Sequence, residues 1–233
     1  AAATLREAAM VRATVGVTDV STLGKLRVQG PDAAAFLDRI HSNLMSTQPV
    51  GKARYGFMLR EDGIAYDDGT VWRRGEHDFL VTATTAHAGG VHDHLDLRAA
   101  RWPDQRVDIA CETEARASLA VAGPQARAAL ARCTPADVTD AALPFMGLAE
   151  AEVCGLPARI ARISFSGELA YEIYVRPAEA ELLWSGLLAA AKAENGRPYE
   201  LEALDILRVE NGHETHREKD GRDTLAHHGL HRR

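Results

Sequence analysis

Hydrophobic positions along the chain follow two spacings in turn, and each change of spacing marks an element. Residues 4–14 place Leu5, Ala8, Ala9 and Val11 at helical intervals, and Val15-Gly16-Val17 ends that helix. Leu23–Gln29 alternates as a strand. Gly30-Pro31 opens the next helix, with proline where the amide hydrogen has no partner to lose, and Phe36, Leu37, Ile40 and Leu44 form its buried stripe. The run R-Y-G-F-M-L-R-E-D-G-I-A-Y-D-D-G-T-V-W, residues 54–72, then reads as a hairpin turning at Glu61-Asp62-Gly63. With period two, Tyr55, Phe57 and Leu59 share a face, as do Ile64, Tyr66, Asp68, Thr70 and Trp72. The Asp68 carboxylate is thus expected on the apolar side, where it needs donors or a cation; a bulge at Asp67-Asp68 would exchange the two aspartates. In a purely structural role Asp68 accepts from a nearby turn or pairs with Arg54, Arg60 or Arg73.

Phe79–Thr85 completes a meander with the hairpin. Ala86–Leu97 is helical and carries His87, His92 and His94; Val107–Ala110 and Ala117–Ala122 are strands, and Gly123-Pro124 starts a short helix running through Cys133. Residues 134–144 are loop-like. Ala149–Cys154 and Ala158–Phe165 form a hairpin about Gly155-Leu156-Pro157, and Ala170–Val175 is a further strand. Two helices follow: Pro177–Asn195, with Leu182, Leu183, Leu187 and Leu188 inward, and Glu200–Asn211, ended by Gly212. Strands that arrive mostly as hairpins between helices favour an α+β fold, mainly antiparallel sheets with packed helices. Residues 1–212 read as one domain, with 52–145 as an inserted subdomain, and 213–233 as a polar tail.

Composition narrows the function. A chain of 233 residues with 46% apolar residues buries a sizeable core, and a net charge of −6 with no basic cluster argues against nucleic acid. No apolar run is long enough to span a bilayer, so no membrane partner is expected. The three cysteines, Cys111, Cys133 and Cys154, form no C-x-x-C and read as free thiols of a cytoplasmic protein. His213-x-x-His216 and His227-His228-x-x-His231 belong to a tail holding five of the ten histidines. The spacing closes no ligand set, so no metal is expected. Three stretches put carboxylates beside aromatic or apolar side chains: the hairpin Tyr55–Asp68, the run S-F-S-G-E-L-A-Y-E-I ending at Ile173, and the helix Glu202–Glu210. Such a set suits a flat heteroaromatic ligand with N–H donors.

The runs V-G-V-T-D-V-S-T-L-G-K-L, Q-G-P-D-A-A-A-F-L, Y-G-F-M-L-R-E-D-G-I-A-Y-D-D-G, A-G-P-Q-A-R, L-P-F-M-G and I-S-F-S-G-E-L-A-Y-E-I resemble the folate-binding aminomethyltransferase family. That family includes the glycine cleavage T-protein and the alpha subunit of heterotetrameric sarcosine oxidase, and the wording is most similar to the latter. The resemblance implies tetrahydrofolate as cofactor. It implies Asp68 as the catalytic carboxylate beside the reactive folate nitrogens and Glu172 as the pterin anchor. Tyr55 and Phe165 would be the aromatic lining, with Thr82 and Thr84 on a cofactor-facing strand. Arg208 is expected to pair with Asp205 or Glu202. Phe165, Thr84 and Leu204 stand where T-protein has tyrosine, asparagine and arginine. The implied reaction passes a one-carbon unit from a small amine or iminium, such as one derived from sarcosine, to tetrahydrofolate, with oxidation on flavin-containing partner subunits. The alternative is a non-catalytic folate-binding or structural module. Family members continue into a further β domain that this chain lacks, so the chain reads as a truncated form.

Overall fold

The computed structural model describes residues 2–213 and divides them into two compact units. The first is built from both ends of this span, residues 2–21 and 114–213, and the second, Thr22–Thr113, is inserted between them. The chain opens with α1 (Ala2–Ala13) and β1 (Gly16–Asp19) of the first unit. The second unit follows as β2 (Gly24–Gln29), α2 (Ala33–Ile40), β3 (Lys52–Leu59), β4 (Ala65–Gly75), β5 (Asp78–Ala83), α3 (Ala88–Arg101) and β6 (Asp108–Cys111). The first unit resumes with β7 (Ala117–Ala122), α4 (Ala126–Ala131), β8 (Leu148–Val153), β9 (Leu156–Ala161) and β10 (Ala170–Val175). It closes with α5 (Ala180–Ala193), β11 (Arg197–Pro198) and α6 (Leu201–Glu210). The α+β expectation holds.

In the second unit a five-stranded antiparallel sheet runs β3-β4-β5-β2-β6. Its core face carries Leu26, Val28, Met58, Val71 and Val81, against Phe36, Leu37 and Ile40 of α2 and Val91 and Leu95 of α3. The expected stripe of α2 ends sooner than its spacing suggests. The helix stops at Ile40 because His41 turns extended and bridges Met58, so Leu44 is exposed and Met45 takes the core position. His41 is buried there, its ring Nδ1 3.2 Å from the Leu37 carbonyl, and burial pulls its pKa down to about 4.

In the first unit a six-stranded sheet runs β11-β1-β7-β10-β9-β8, antiparallel except for β1 beside β11. One face holds Val17, Leu119, Val121, Tyr171 and Ile173 against Leu183, Leu187 and Ala191 of α5. The helical period selects these positions, so Leu182, expected inward, faces outward and Leu188 is half-buried. The other face carries Ala122 and Ala170 under α1 and α6. The short β1 replaces the expected simple end of a helix, since Val15 and Val17 join the sheet core. The β8–β9 turn is Cys154-Gly155, with Val153 opposite Leu156, and Pro157 lies inside β9 rather than in the turn.

Candidate functional site

In the second unit β3 and β4 pair so that Tyr55 faces Thr70 and Phe57 faces Asp68. Tyr55, Phe57, Asp68 and Thr70 therefore share the sheet face opposite the α2–α3 core, and the two aromatic rings meet edge to face at 5.5 Å. The Tyr55 hydroxyl donates to Asp68 Oδ2 at 2.7 Å. A phenol on a carboxylate is a strong, charge-assisted bond that fixes where the negative charge points. Arg54, Arg60 and Arg73, the structural partners considered for Asp68, are engaged elsewhere. Arg54 donates to Thr47, Arg60 pairs with Asp62, and Arg73 donates to the Ser46, Gln48 and Glu76 carbonyls.

The fully buried carboxylate is Asp67, not Asp68. Asp67 is 1% exposed, whereas Asp68 is half-buried. Between Met58 and Leu59 the register slips: Leu59 pairs with Ala65 but Met58 with Asp67, so β4 carries one extra residue there. Alternation also fails as a guide because both faces of this strand are covered, Val71 and Trp72 alike being fully buried. Thr84 meets Asp67 with its amide at 3.0 Å and its hydroxyl at 2.9 Å, yet burial still pushes the Asp67 carboxyl above the usual range. The hydroxyl of Thr82 belongs to a different chain of bonds. Trp72 Nε1 donates to Thr70 Oγ1, the two threonine hydroxyls are 2.9 Å apart, and Thr82 Oγ1 reaches the Thr70 carbonyl at 3.1 Å. Gly69 completes the D-D-G motif for a steric reason, since a Cβ there would come within 2.1 Å of the Thr82 carbonyl oxygen.

In the first unit Glu172 lies on β10 between Tyr171 and Ile173, which point into the core, so its side chain occupies the opposite face with Tyr174. The Tyr174 hydroxyl donates to Glu172 Oε2 at 2.7 Å. Tyr174 is only 4% exposed, and burial first and the Glu172 charge second hold its phenol pKa well up. A rigid donor thus sets the carboxylate that the sequence singled out. Tyr174 escaped notice in the sequence, although the i, i+2 spacing already placed it beside Glu172. Phe165, 41% exposed, stacks on the His213 ring at 5.4 Å and 15°. Arg208 pairs with Asp205 at 2.7 Å, as expected.

The structure therefore joins Tyr55 directly to Asp68 in the second unit and separates the threonines between two partners, Thr70 and Asp67. Glu172 and Phe165 belong to the first unit. Among the described residues no group of three or more His, Cys, Asp and Glu is arranged to hold a metal, and no helix is long and apolar enough to cross a membrane. The histidine pattern from His216 onward lies outside the described residues.

Comparison with known proteins adds to this geometry. Residues 1–233 match the family model described as the GCVT N-terminal domain. The chain is 47% identical over 93% of its length to a sarcosine oxidase subunit alpha of Rhizobium meliloti, covering 22% of that protein. It is 37% identical over 87% of its length to an aminomethyltransferase of Streptomyces coelicolor, covering 53% of that protein. The glycine cleavage system aminomethyltransferase T of Bartonella henselae superposes with a TM-score of 0.78 at 28% identity, over 90% of this chain and 54% of that one. The chain thus spans about a fifth of the sarcosine oxidase relative and about half of the aminomethyltransferases.

Proposed function

The chain belongs to the GCVT N-terminal domain family, and from that premise we propose that it is the folate-binding part of an enzyme that transfers a one-carbon unit from an amine to tetrahydrofolate. The donor set suits that ligand. A pterin presents adjacent ring N–H and amino donors, and Glu172 offers an acceptor-only carboxylate held on a rigid strand by a buried phenol. Tyr55 and Phe165 present partly exposed rings of the kind that flank a planar heterocycle. Thr82 and Thr84 would stand behind the site, their hydroxyls bracing Thr70 and Asp67.

Tetrahydrofolate supplies the nucleophilic nitrogens when bound. Asp68 supplies negative charge: a carboxylate aimed by Tyr55 favours a cationic iminium over its neutral precursor and orients the incoming amine. The observation that carries the proposal is the 2.7 Å bond from Tyr55 to a half-buried Asp68. The amine is sarcosine or a close analogue, and its oxidation belongs to flavin-containing partner subunits, a reading supported by the identity to a sarcosine oxidase subunit alpha. Because the chain covers 22% of that relative, a second reading is a folate-binding module without chemistry of its own.

Tetrahydrofolate titration followed by fluorescence, on the chain and on Asp68→Ala and Glu172→Ala, separates these. Glu172→Ala is expected to lose binding. Asp68→Ala should keep binding and lose turnover in a system reconstituted with an oxidase that supplies the iminium. Unchanged affinity in both variants overturns the proposal, and turnover retained by Asp68→Ala favours the module.

A further inference from the structure

Two locally unfavourable choices in the first unit meet at one point. The β8–β9 turn has φ of 54° at Cys154 and 78° at Gly155, the pattern of a type I′ hairpin. Its first position favours Asn, Asp or Gly, and cysteine has no side-chain hydrogen bond of that kind to compensate for the left-handed backbone. Gly186 lies in the middle of α5, where glycine weakens a helix. A Cβ at Gly186 would come within 2.4 Å of the Cys154 sulfur. Cys133, two residues past the end of α4, directs its own sulfur to the Gly186 carbonyl at 3.7 Å.

The two cysteines also face each other directly. The Cys154 amide donates to the Cys133 carbonyl at 2.7 Å. With the bonded distances on either side of that amide contact, the two Cα atoms lie at most about 6.6 Å apart. A disulfide bridges Cα separations of roughly 4.4–6.8 Å. Neither residue is exposed enough to drift into solvent nor buried enough to be sealed from a small reagent. Local backbone cost retained at such a junction is the kind of observation that points to use.

We propose that Cys133 and Cys154 form a dithiol–disulfide redox site whose oxidant is a small-molecule disulfide. The Cys154 thiolate attacks one sulfur of the oxidant, that S–S bond breaks, and the first small thiol leaves with a proton. Cys133 then loses its proton and attacks the Cys154 sulfur, releasing the second small thiol. One protein disulfide is formed and one small disulfide is reduced to two thiols. Cys133 keeps its proton on the Gly186 carbonyl, whereas the neighbouring Cys133 holds the Cys154 thiol below its ordinary pKa, so Cys154 attacks first. Closure ties the hairpin tip to the end of α4 and restrains the segment between them in the unfolded chain, raising stability. The site is independent of the folate reading.

The test uses the full chain with Cys111→Ser, which removes the exposed third thiol, and glutathione disulfide as oxidant. Both remaining thiols should disappear together by alkylation and intact mass, with no glutathione retained and a Cys133–Cys154 linked peptide. The thermal midpoint should rise and return on reduction. Adding Cys133→Ser should instead trap one glutathione on Cys154, and adding Gly186→Ala should slow closure several-fold by crowding the Cys154 sulfur. Stable glutathione adducts with both cysteines present would overturn the proposal. So would a link that forms only under unfolding conditions.

Discussion

Asp68 in the second unit and Glu172 in the first each accept a tyrosine hydroxyl at 2.7 Å, but the two phenols are anchored differently. Tyr174 is buried on the same strand as Glu172, two residues on, so the sheet itself sets the pair. Tyr55 is half-buried on the strand beside Asp68, where its ring is flanked by Phe57 at one edge. Moving Tyr174 means disturbing a closed face; moving Tyr55 disturbs far less packing. One hydrogen-bond length thus serves two purposes: a fixed acceptor, suited to gripping a ligand, and an adjustable charge, suited to a step in which charge moves.

The largest effect should come from Glu172→Ala, which removes the fixed acceptor: folate affinity falls by about a hundredfold, ~3 kcal/mol, the scale of losing charged hydrogen bonds. Isothermal titration against Asp68→Ala checks it, and equal losses in the two variants would erase the distinction between grip and charge.

Next is a pH effect confined to the second unit. His41 has a folded pKa of about 4 against 6.5 for the free side chain, so the unfolded chain takes up the proton first as pH falls. The contribution is fully present above pH 6.5 and is lost between 6.5 and about 4; it amounts to about 3 kcal/mol. The first unit has one described histidine, His213, at its end. Hydrogen exchange at pH 7 and near pH 4.5 should show peptides of the second unit loosening first, and His41→Gln should remove most of the difference. Simultaneous loosening of both units would contradict it.

The smaller predictions compare the phenols. Tyr174→Phe should cost about 1–2 kcal/mol of stability and close to tenfold in folate affinity, because a half-buried carboxylate loses a buried donor. Tyr55→Phe should cost about 0.5–1 kcal/mol and reduce turnover only a few-fold. Denaturant melts together with a turnover assay measure both. If Tyr55→Phe proves the more damaging of the two in stability, Asp68 is the rigid site and the assignment of roles reverses.

Much of this fold is legible in the sequence. The change from period two to helical spacing located nearly every element, and the hairpin turning at Glu61-Asp62-Gly63 appears with Tyr55 and Phe57 on one face. Errors arose where an element ended against a partner distant in sequence. Leu44 is exposed because His41 bridges Met58, and the β8–β9 turn is one residue earlier than expected because Cys154 accepts a left-handed backbone. Nothing in the composition marks the passages from Ser21 to Thr22 or from Thr113 to Glu114, where the units divide. Those limits depend on which strands pair.

The sequence by itself determined the α+β class, the kinship and the choice of acidic and aromatic candidates, since periodicity and side-chain chemistry are local properties of the chain. Tertiary structure decided which of two adjacent aspartates is sealed in the core, which tyrosine holds each carboxylate, and that Cys133 meets Cys154 across Gly186. Register slips and contacts between distant segments arise only when strands pair and helices pack, and no spacing along a single strand encodes them.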